Sequence, residues 1–302
     1  MELIIILLKQ IATMYILMFV GYFAYKGKLI SDAGAKDFSN ILVKIVLPIV
    51  ILNSFAIEKT VDTDKELLHS ALISLISMAL SIAVSFLIYH QKDTIAEFSA
   101  EFSNAGFIGI PLIQAVLGNY AVFQISMMIV LIGILQWTYG SYIISQDRSV
   151  ITYKKILRNP VIIGVLLGFL IYLFGIRIPP FVGNLISYIS GLNTPLAMMV
   201  TGVYLAQSDL VTTFRSRKAY VVSSIRLVLI PLLTLAVFRF LPVGSTELKL
   251  AVLLASSCPV GSNSVIIAGM YGKDFKSAVS EVCVSTILCI LTLPLITFLA
   301  TL

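Results

Sequence analysis

Charged residues are scarce in this chain. They account for 12% of its 302 residues, against about 25% in a typical soluble domain. Hydrophobic residues reach 59% and the mean hydropathy is +1.01, so an ordinary soluble domain is excluded. Apolar stretches of the roughly 20 residues that a bilayer helix needs recur along the whole chain. The sequence therefore predicts an all-α, multi-pass protein of the cell (cytoplasmic) membrane, surrounded by lipid.

Cysteine and histidine are also rare. The three cysteines form no CxxC pair and have no histidine at ligand spacing, so we expect neither a disulfide framework nor a metal site. The chain contains no GxxxxGK[ST] loop and no HExxH motif, which an ATP-driven pump or an intramembrane zinc protease would need. We therefore expect no enzyme and no cofactor. The net charge of +6 is spread over short loops, which argues against nucleic acid as a partner.

Apolar segments separated by charged residues or by Gly, Pro and Asn clusters predict ten membrane-spanning helices. The odd-numbered connections carry most of the Lys and Arg residues, among them Arg148, Lys154 and Lys155 in the central one. The positive-inside rule then predicts that both termini lie outside. The predicted spans are 3–24, 35–57, 67–89, 97–117, 120–145, 159–175, 181–206, 218–240, 247–270 and 275–300.

Two pairs of prolines interrupt these segments at matching places in the two halves of the chain. Pro48 and Pro195 lie in the second and seventh spans, and Pro111 and Pro259 lie in the fourth and ninth. The members of each pair are separated by close to half the chain length. This pattern predicts two five-helix units, residues 1–150 and 151–302, within one membrane unit. Because five is odd, the second unit must insert upside down, as in many secondary transporters.

The fourth and ninth spans contain "SNAGFIGIP" and "SSCPVGSNS" where a bilayer helix should be continuous. Proline removes a helix hydrogen bond and glycine permits unwinding, so the freed backbone groups must lie inside protein or against a water-filled cavity. A packing kink would explain one such break, but two matched breaks favour a binding site. We expect broken helices that cross near the membrane midplane, with N–H ends suited to an anion.

The stretches "FSNAGFIGIPL", "SSCPVGSNSVIIAGMYGKD" and "KIVLPIVILNSF" resemble the auxin efflux carrier family of transporters, over essentially all ten spans. The resemblance implies a five-plus-five inverted repeat similar to that of bile-acid and sodium/proton transporters. It also implies small organic anions as substrates, such as malonate, malate or auxin-like acids. The long cytoplasmic loop of the plant carriers is absent, which points to the smaller bacterial type and puts auxin itself in doubt. On the family pattern, the residues that match the two crossovers are Asn104, Gly106, Gly109, Pro111, Pro259 and Asn263.

Charged and amide residues inside apolar segments supply further candidates, because a charge at a helix centre costs about 2.5–3.5 kcal/mol. Lys44 could hold a carboxylate or extend its amine to the membrane surface. Glu101 could carry a coupling proton or sodium ion, or simply lie at the interface. Arg226 and Glu281 are expected to form structural ion pairs or to act as interfacial anchors. Gln136 is equally well explained by a bond to a neighbouring helix. The predicted binding set is completed by Pro48, Asn53, Gly261 and Ser262.

The leading interpretation is a secondary transporter of small organic anions that works by alternating access. A sodium- or proton-coupled carrier of another solute, a channel and a receptor stay open as alternatives. A channel would need rings of like residues or a symmetric filter, and a receptor would need more loop surface. The substrate, the coupling ion, the direction of transport and a homodimeric state are not determined by the sequence.

Overall fold

The computed structural model describes residues 2–151 and 158–302. Within these ranges every regular element is helical, and an isolated β-bridge joins Ser103 to Val260. Lys154 and Lys155 lie outside the described residues. The α-helices are α1 (Glu2–Lys26), α2 (Asp32–Ile41), α3 (Leu47–Ser54), α4 (Val61–Tyr89), α5 (Thr94–Glu101), α6 (Ile110–Leu117), α7 (Tyr120–Gln124), α8 (Ser126–Leu135), α9 (Ser141–Ser145), α10 (Pro160–Phe174), α11 (Pro180–Gly191), α12 (Asn193–Gln207), α13 (Leu210–Arg215), α14 (Arg217–Ser224), α15 (Ile230–Phe240), α16 (Thr246–Ser256), α17 (Asn263–Met270) and α18 (Phe275–Thr301). Four π-helical turns, π1 (Leu42–Val46), π2 (Ala105–Gly109), π3 (Gln136–Gly140) and π4 (Ile225–Leu229), and a 3₁₀ turn at Arg148–Val150 complete the secondary structure.

Six helical stretches of the described chain are long and apolar enough to cross a membrane. This agrees with the predicted all-α membrane protein. The other four predicted spans fall short of that criterion because they are short, interrupted or more polar. They are α10 with 15 residues, the run from α2 to α3, the segment containing α5 and α6, and the segment containing α16 and α17. The six long stretches are Ile5–Lys26, Val61–Tyr89, Ser126–Ser145, Pro180–Gln207, Arg217–Phe240 and Phe275–Thr301.

Three of the π-helical turns stand directly before a proline. Pro48, Pro111 and Pro231 each follow the last residue of π1, π2 and π4 by two positions. Proline has no N–H to donate, and its ring clashes with the carbonyl one turn back. Widening the preceding turn to bonds between residues five apart avoids that clash, as in the bond from the Leu47 N–H to the Leu42 carbonyl. The helix can therefore continue past the proline without a break.

Glycines bring two helix pairs into backbone contact. A Cβ on Gly21 of α1 would collide with the Met199 backbone of α12, and a Cβ on Gly202 of α12 would collide with α1. Gly164 of α10 likewise lies against the Pro48 backbone of α3. Small residues that let backbones approach are the usual means of helix association in membranes. The pairs α1–α12 and α3–α10 each join one half of the chain to the other.

The interrupted segments lie in the middle of the molecule. All residues in the ranges 95–105 and 251–262 are buried. Irregular backbone is tolerated at membrane depth only where protein or a polar cavity surrounds it. The remaining helices therefore shield both interruptions from lipid.

Candidate functional site

The two helix interruptions are joined to each other through their backbones. The Asn104 N–H donates to the Pro259 carbonyl at 2.7 Å, and the Gly261 N–H donates to the Phe102 carbonyl at 2.9 Å. These two bonds flank the bridge between Ser103 and Val260. Backbone groups that unwinding would leave unpaired are thus satisfied by the other interruption, as buried polar groups require.

Arg226, in π4, supplies the donors that the ends of α5 and α16 have lost. The Asn104 N–H would bond the Ala100 carbonyl in a continuous helix, but it bonds Pro259 instead. The guanidinium of Arg226 is only 1% exposed, and its Nη1 donates to the carbonyls of Ala100 and Glu101, both at 3.0 Å. Its Nη2 donates to the Ser256 carbonyl. A cation at the C-terminal ends of two helices also complements their dipoles.

This placement corrects the expectation of an ion pair or an interfacial anchor for Arg226. No carboxylate of the described chain lies within salt-bridge distance of its guanidinium. Glu281 does form the expected ion pair, with the Lys218 Nζ 3.5 Å from its Oε1. The sequence pattern alone could not separate these two cases, because each residue lies at a similar depth in its segment.

A cavity of about 60 Å³ lies where the two interruptions meet. We call it the central cavity. Its volume is several times the roughly 10–15 Å³ that one water needs. Polar groups from four parts of the chain face it, and none of its described lining residues carries a formal charge. The polar lining residues are Ser103, Asn104, Gln136, Asn159, Ser262 and Asn263, with Gly106, Gly261 and Trp137 among the others.

Side-chain amides connect the walls of the central cavity. The Asn104 Nδ2 donates to the Ser262 Oγ at 3.2 Å, and the Asn263 Nδ2 donates to the Gln136 Oε1 at 2.6 Å. A Cβ on Gly261 would lie 3.1 Å from the Gln136 Nε2, so this position has little room for a side chain. The network ties both interruptions to π3.

Two helix N-termini point to the central cavity. The apolar helix Ala105–Leu117 begins at one interruption, and α17 begins at the other. The first N–H groups of a helix have no acceptor within it, and the aligned peptide dipoles place partial positive charge there. Ala105, Gly106 and Asn263 all line the cavity. Its electrostatics are therefore set by N–H and amide donors, which suit an anion.

A family of proteins described as membrane transport proteins matches residues 6–297. The chain belongs to this family. The uncharacterized transporter MJ1031 of Methanocaldococcus jannaschii is 23% identical over 296 residues, which cover 93% of this chain and 94% of the relative. The uncharacterized transporter YfdV of Escherichia coli K12, like that of Shigella flexneri, is 19% identical over 301 residues, with 93% of each chain covered. The resemblance to the auxin efflux carrier family is thereby confirmed, and the protein is a membrane transporter, not an enzyme.

Five of the predicted binding residues of this transporter line the central cavity. They are Asn104, Gly106, Gly261, Ser262 and Asn263. The other predicted crossover residues do not line the cavity but lie in the segments that form its wall. A Cβ on Gly109 would lie 3.2 Å from the Cys258 Sγ, Pro111 is the second residue of α6, and the Pro259 carbonyl accepts from the Asn104 N–H.

The remaining predicted residues lie away from the central cavity. Lys44 is exposed on π1, and it lines neither this cavity nor the one that contains Asn53. Pro48 packs against Gly164. Glu101 is fully buried beside the first interruption, and its Oε1 accepts from the Tyr139 hydroxyl at 3.3 Å. Its side chain is not part of the cavity wall.

Several lining residues were absent from the predicted set, among them Gln136, Trp137 and Asn159. Gln136 stood out in the sequence as an amide in an apolar stretch, but nothing local indicated that it would contact Asn263. Asn159 is a helix N-cap, since its Oδ1 accepts from the Val161 N–H. Its position on the cavity depends on how α10 packs against α3.

Proposed function

We propose that this transporter is a secondary carrier that moves small organic anions by alternating access. In this proposal ten spans form a five-plus-five inverted repeat, and the fourth and ninth spans cross at the central cavity. The observation that carries it is the pair of helix N-termini and amide side chains around one cavity whose described lining residues carry no charge. Paired interrupted helices of this kind mark the binding site in inverted-repeat transporters.

The packing of the helices supports the repeat. The first and seventh predicted spans pack together as α1 and α12, and the second and sixth pack together as α3 and α10. In an inverted repeat, spans one and two correspond to spans six and seven, so the first pair of contacting helices is the counterpart of the second pair. The same correspondence relates the contact between α4 and α8 to the contact between α14 and α18.

The location of the central cavity supports alternating access. One wall comes from the second and sixth spans, through Leu47 and Val161. The opposite wall comes from the two interruptions and from the fifth span, through Gln136. Rocking one of these helix groups against the other would expose the same site first to one side of the membrane and then to the other.

The charge of the substrate follows from the donors available. The amides of Asn104 and Asn263 and the free N–H groups of two helix ends can all donate to a carboxylate. No described lining residue is acidic, so a cation would lack a counter-charge. The carbonyls at the ends of α5 and α16, where such carriers commonly hold sodium, already bind Arg226. A coupling cation would then bind at another place, and Glu101 is the candidate residue.

A carrier of cations is the second candidate, because Glu101 is buried and its Oε2 has no partner among the described residues. The two functions differ in substrate charge. We expect a dicarboxylate to bind the purified protein at least about tenfold more tightly than its neutral diamide, or about 1.4 kcal/mol. An organic amine of the same size should bind weakly. Amine binding as tight as that of the dicarboxylate would contradict the anion proposal and favour a site at Glu101.

Transport itself is tested by uptake of labelled malonate into proteoliposomes. Counterflow that saturates with concentration would support a carrier. A current that rises linearly with concentration would indicate a channel, and binding without flux would indicate a receptor.

A further inference from the structure

A second cavity of about 460 Å³ lies between α3, α6, α7, α11 and α12. We call it the outer cavity, because it borders the connections that the charge distribution predicts to be external. Its walls are rich in amides and hydroxyls, and none of the described lining residues carries a formal charge. A lipid-filled groove of this composition is disfavoured, since hydrocarbon cannot hydrogen-bond. The polar groups that matter below are Asn53, Ser190, Asn193 and Thr194.

The outer cavity continues the path of the central cavity along the same segments. Leu47 lines the central cavity and Ser54 lines the outer one, a separation of about 10 Å along the helix. On the fourth span the corresponding residues are Phe107 and Ile110. Val50, about one helical turn after Leu47, also lines the outer cavity. The same two segments therefore border both cavities.

Asn193 is the residue that points to a ligand. It is 3% exposed and lines the outer cavity, yet neither its Oδ1 nor its Nδ2 has a partner in the part of the chain that is described. The hydroxyl of Ser190, in the same wall, is also without one there. Leaving a buried amide unpaired costs about 1–3 kcal/mol, so we expect it to bond a water or a ligand in the cavity.

Asn193 follows a single turn residue within the continuous helical stretch Pro180–Gln207. Its amide adds a hydrogen-bond donor to a wall in which no described residue is acidic, so the wall suits negative charge better than positive charge.

We infer that the outer cavity is a second binding site for a small carboxylate, which the amide of Asn193 holds on its way to or from the central cavity. The inference rests on the proposed function for the identity of the anion. The geometry of the outer cavity and the unpaired amide of Asn193 are independent of that function.

The test is equilibrium dialysis of labelled malonate against the purified protein. The wild-type chain should bind two malonate molecules, and Asn193→Leu, which removes the amide at similar volume, should bind one. Asn184→Leu is the matched control, because Asn184 is exposed on α11 and does not line the cavity. It should still bind two. Asn104→Ala should lose the other site and bind one.

Thermal unfolding separates a binding role of Asn193 from a structural one. Because its amide has no protein partner among the described residues, Asn193→Leu should leave the unfolding temperature unchanged or raise it. A lower unfolding temperature together with lost binding would show that Asn193 supports the fold, and it would overturn the inference.

The binding outcomes separate the second site from the proposed function. One malonate in the wild type, lost in Asn104→Ala and kept in Asn193→Leu, would overturn the second site and leave the central site standing. Binding lost in Asn193→Leu but kept in Asn104→Ala would support the outer site and contradict the central one. No malonate binding at all would reject both sites as carboxylate sites.

Discussion

The guanidinium of Arg226 permits a direct test of how the two helix interruptions are held. The carbonyls of Ala100, Glu101 and Ser256 bind its two terminal nitrogens. Arg226→Lys keeps a buried positive charge but offers one nitrogen in place of two. We therefore expect at least one of the three carbonyls to be left without a donor.

The magnitude follows from that lost bond. The charge stays buried, and a lysine ammonium is more strongly hydrated than a guanidinium, so its desolvation does not offset the lost hydrogen bond. Hydrogen bonds to charged groups contribute about 1.5–3 kcal/mol, so Arg226→Lys should lower the free energy of unfolding by about 1.5 kcal/mol or more. Arg239→Lys is the control, since Arg239 is exposed on α15. It should change stability by less than about 0.5 kcal/mol.

Unfolding can be followed in detergent through the fluorescence of Trp137, the single tryptophan of the chain, which lines the central cavity. Malonate counterflow should also be slower in Arg226→Lys than in Arg239→Lys, because the ends of α5 and α16 lead directly into the cavity wall. Equal stability and equal counterflow in the two variants would refute the argument that Arg226 holds the interruptions together.

Three further predictions concern the central cavity and its surroundings. Asn104→Ala and Asn263→Ala should each weaken malonate binding about tenfold or more, or about 1.4 kcal/mol. Asn263→Ala should in addition lower the free energy of unfolding by about 1–3 kcal/mol, because the Gln136 Oε1 loses its donor. Unchanged affinity in both variants would remove these amides from the site. Gly261→Ala should lower stability by about 1–3 kcal/mol through overpacking against the Gln136 side chain, and an unfolding temperature equal to that of the wild type would contradict this. Glu101→Gln should abolish malonate uptake driven by a pH gradient while leaving malonate exchange intact, and gradient-driven uptake that persists would exclude Glu101 as the proton carrier.

Several features of the site followed from the sequence because they depend on local backbone chemistry. The stretch that ends at Pro111, and Pro259 in its cluster of small polar residues, predicted which two segments are interrupted. In the first segment the interruption lies before the glycines, and the helix continues from Ala105 past Pro111. Asn104 and Asn263 were assigned to the site because amides beside freed backbone groups have a physical reason to be there. These inferences needed only residue type and spacing, which act over about one helical turn.

The partners of those residues were decided by tertiary structure. Arg226 had the appearance of an ion-pair residue, and only the packing of π4 against α5 and α16 brought its guanidinium to three carbonyls. Lys44 had the right local setting for a carboxylate ligand, yet its helix turns it to an exposed face.

The two cavities depend even more on long-range packing. Gln136 and Asn263 are far apart in the chain, as are Asn53 and Asn193, and each pair lines one cavity only through the packing of helices from opposite halves. The sequence by itself determined a helical membrane transporter with two interrupted segments. The tertiary structure decided which groups those interruptions meet, because a hydrogen-bond partner more than one hundred residues away leaves no periodic pattern in the chain.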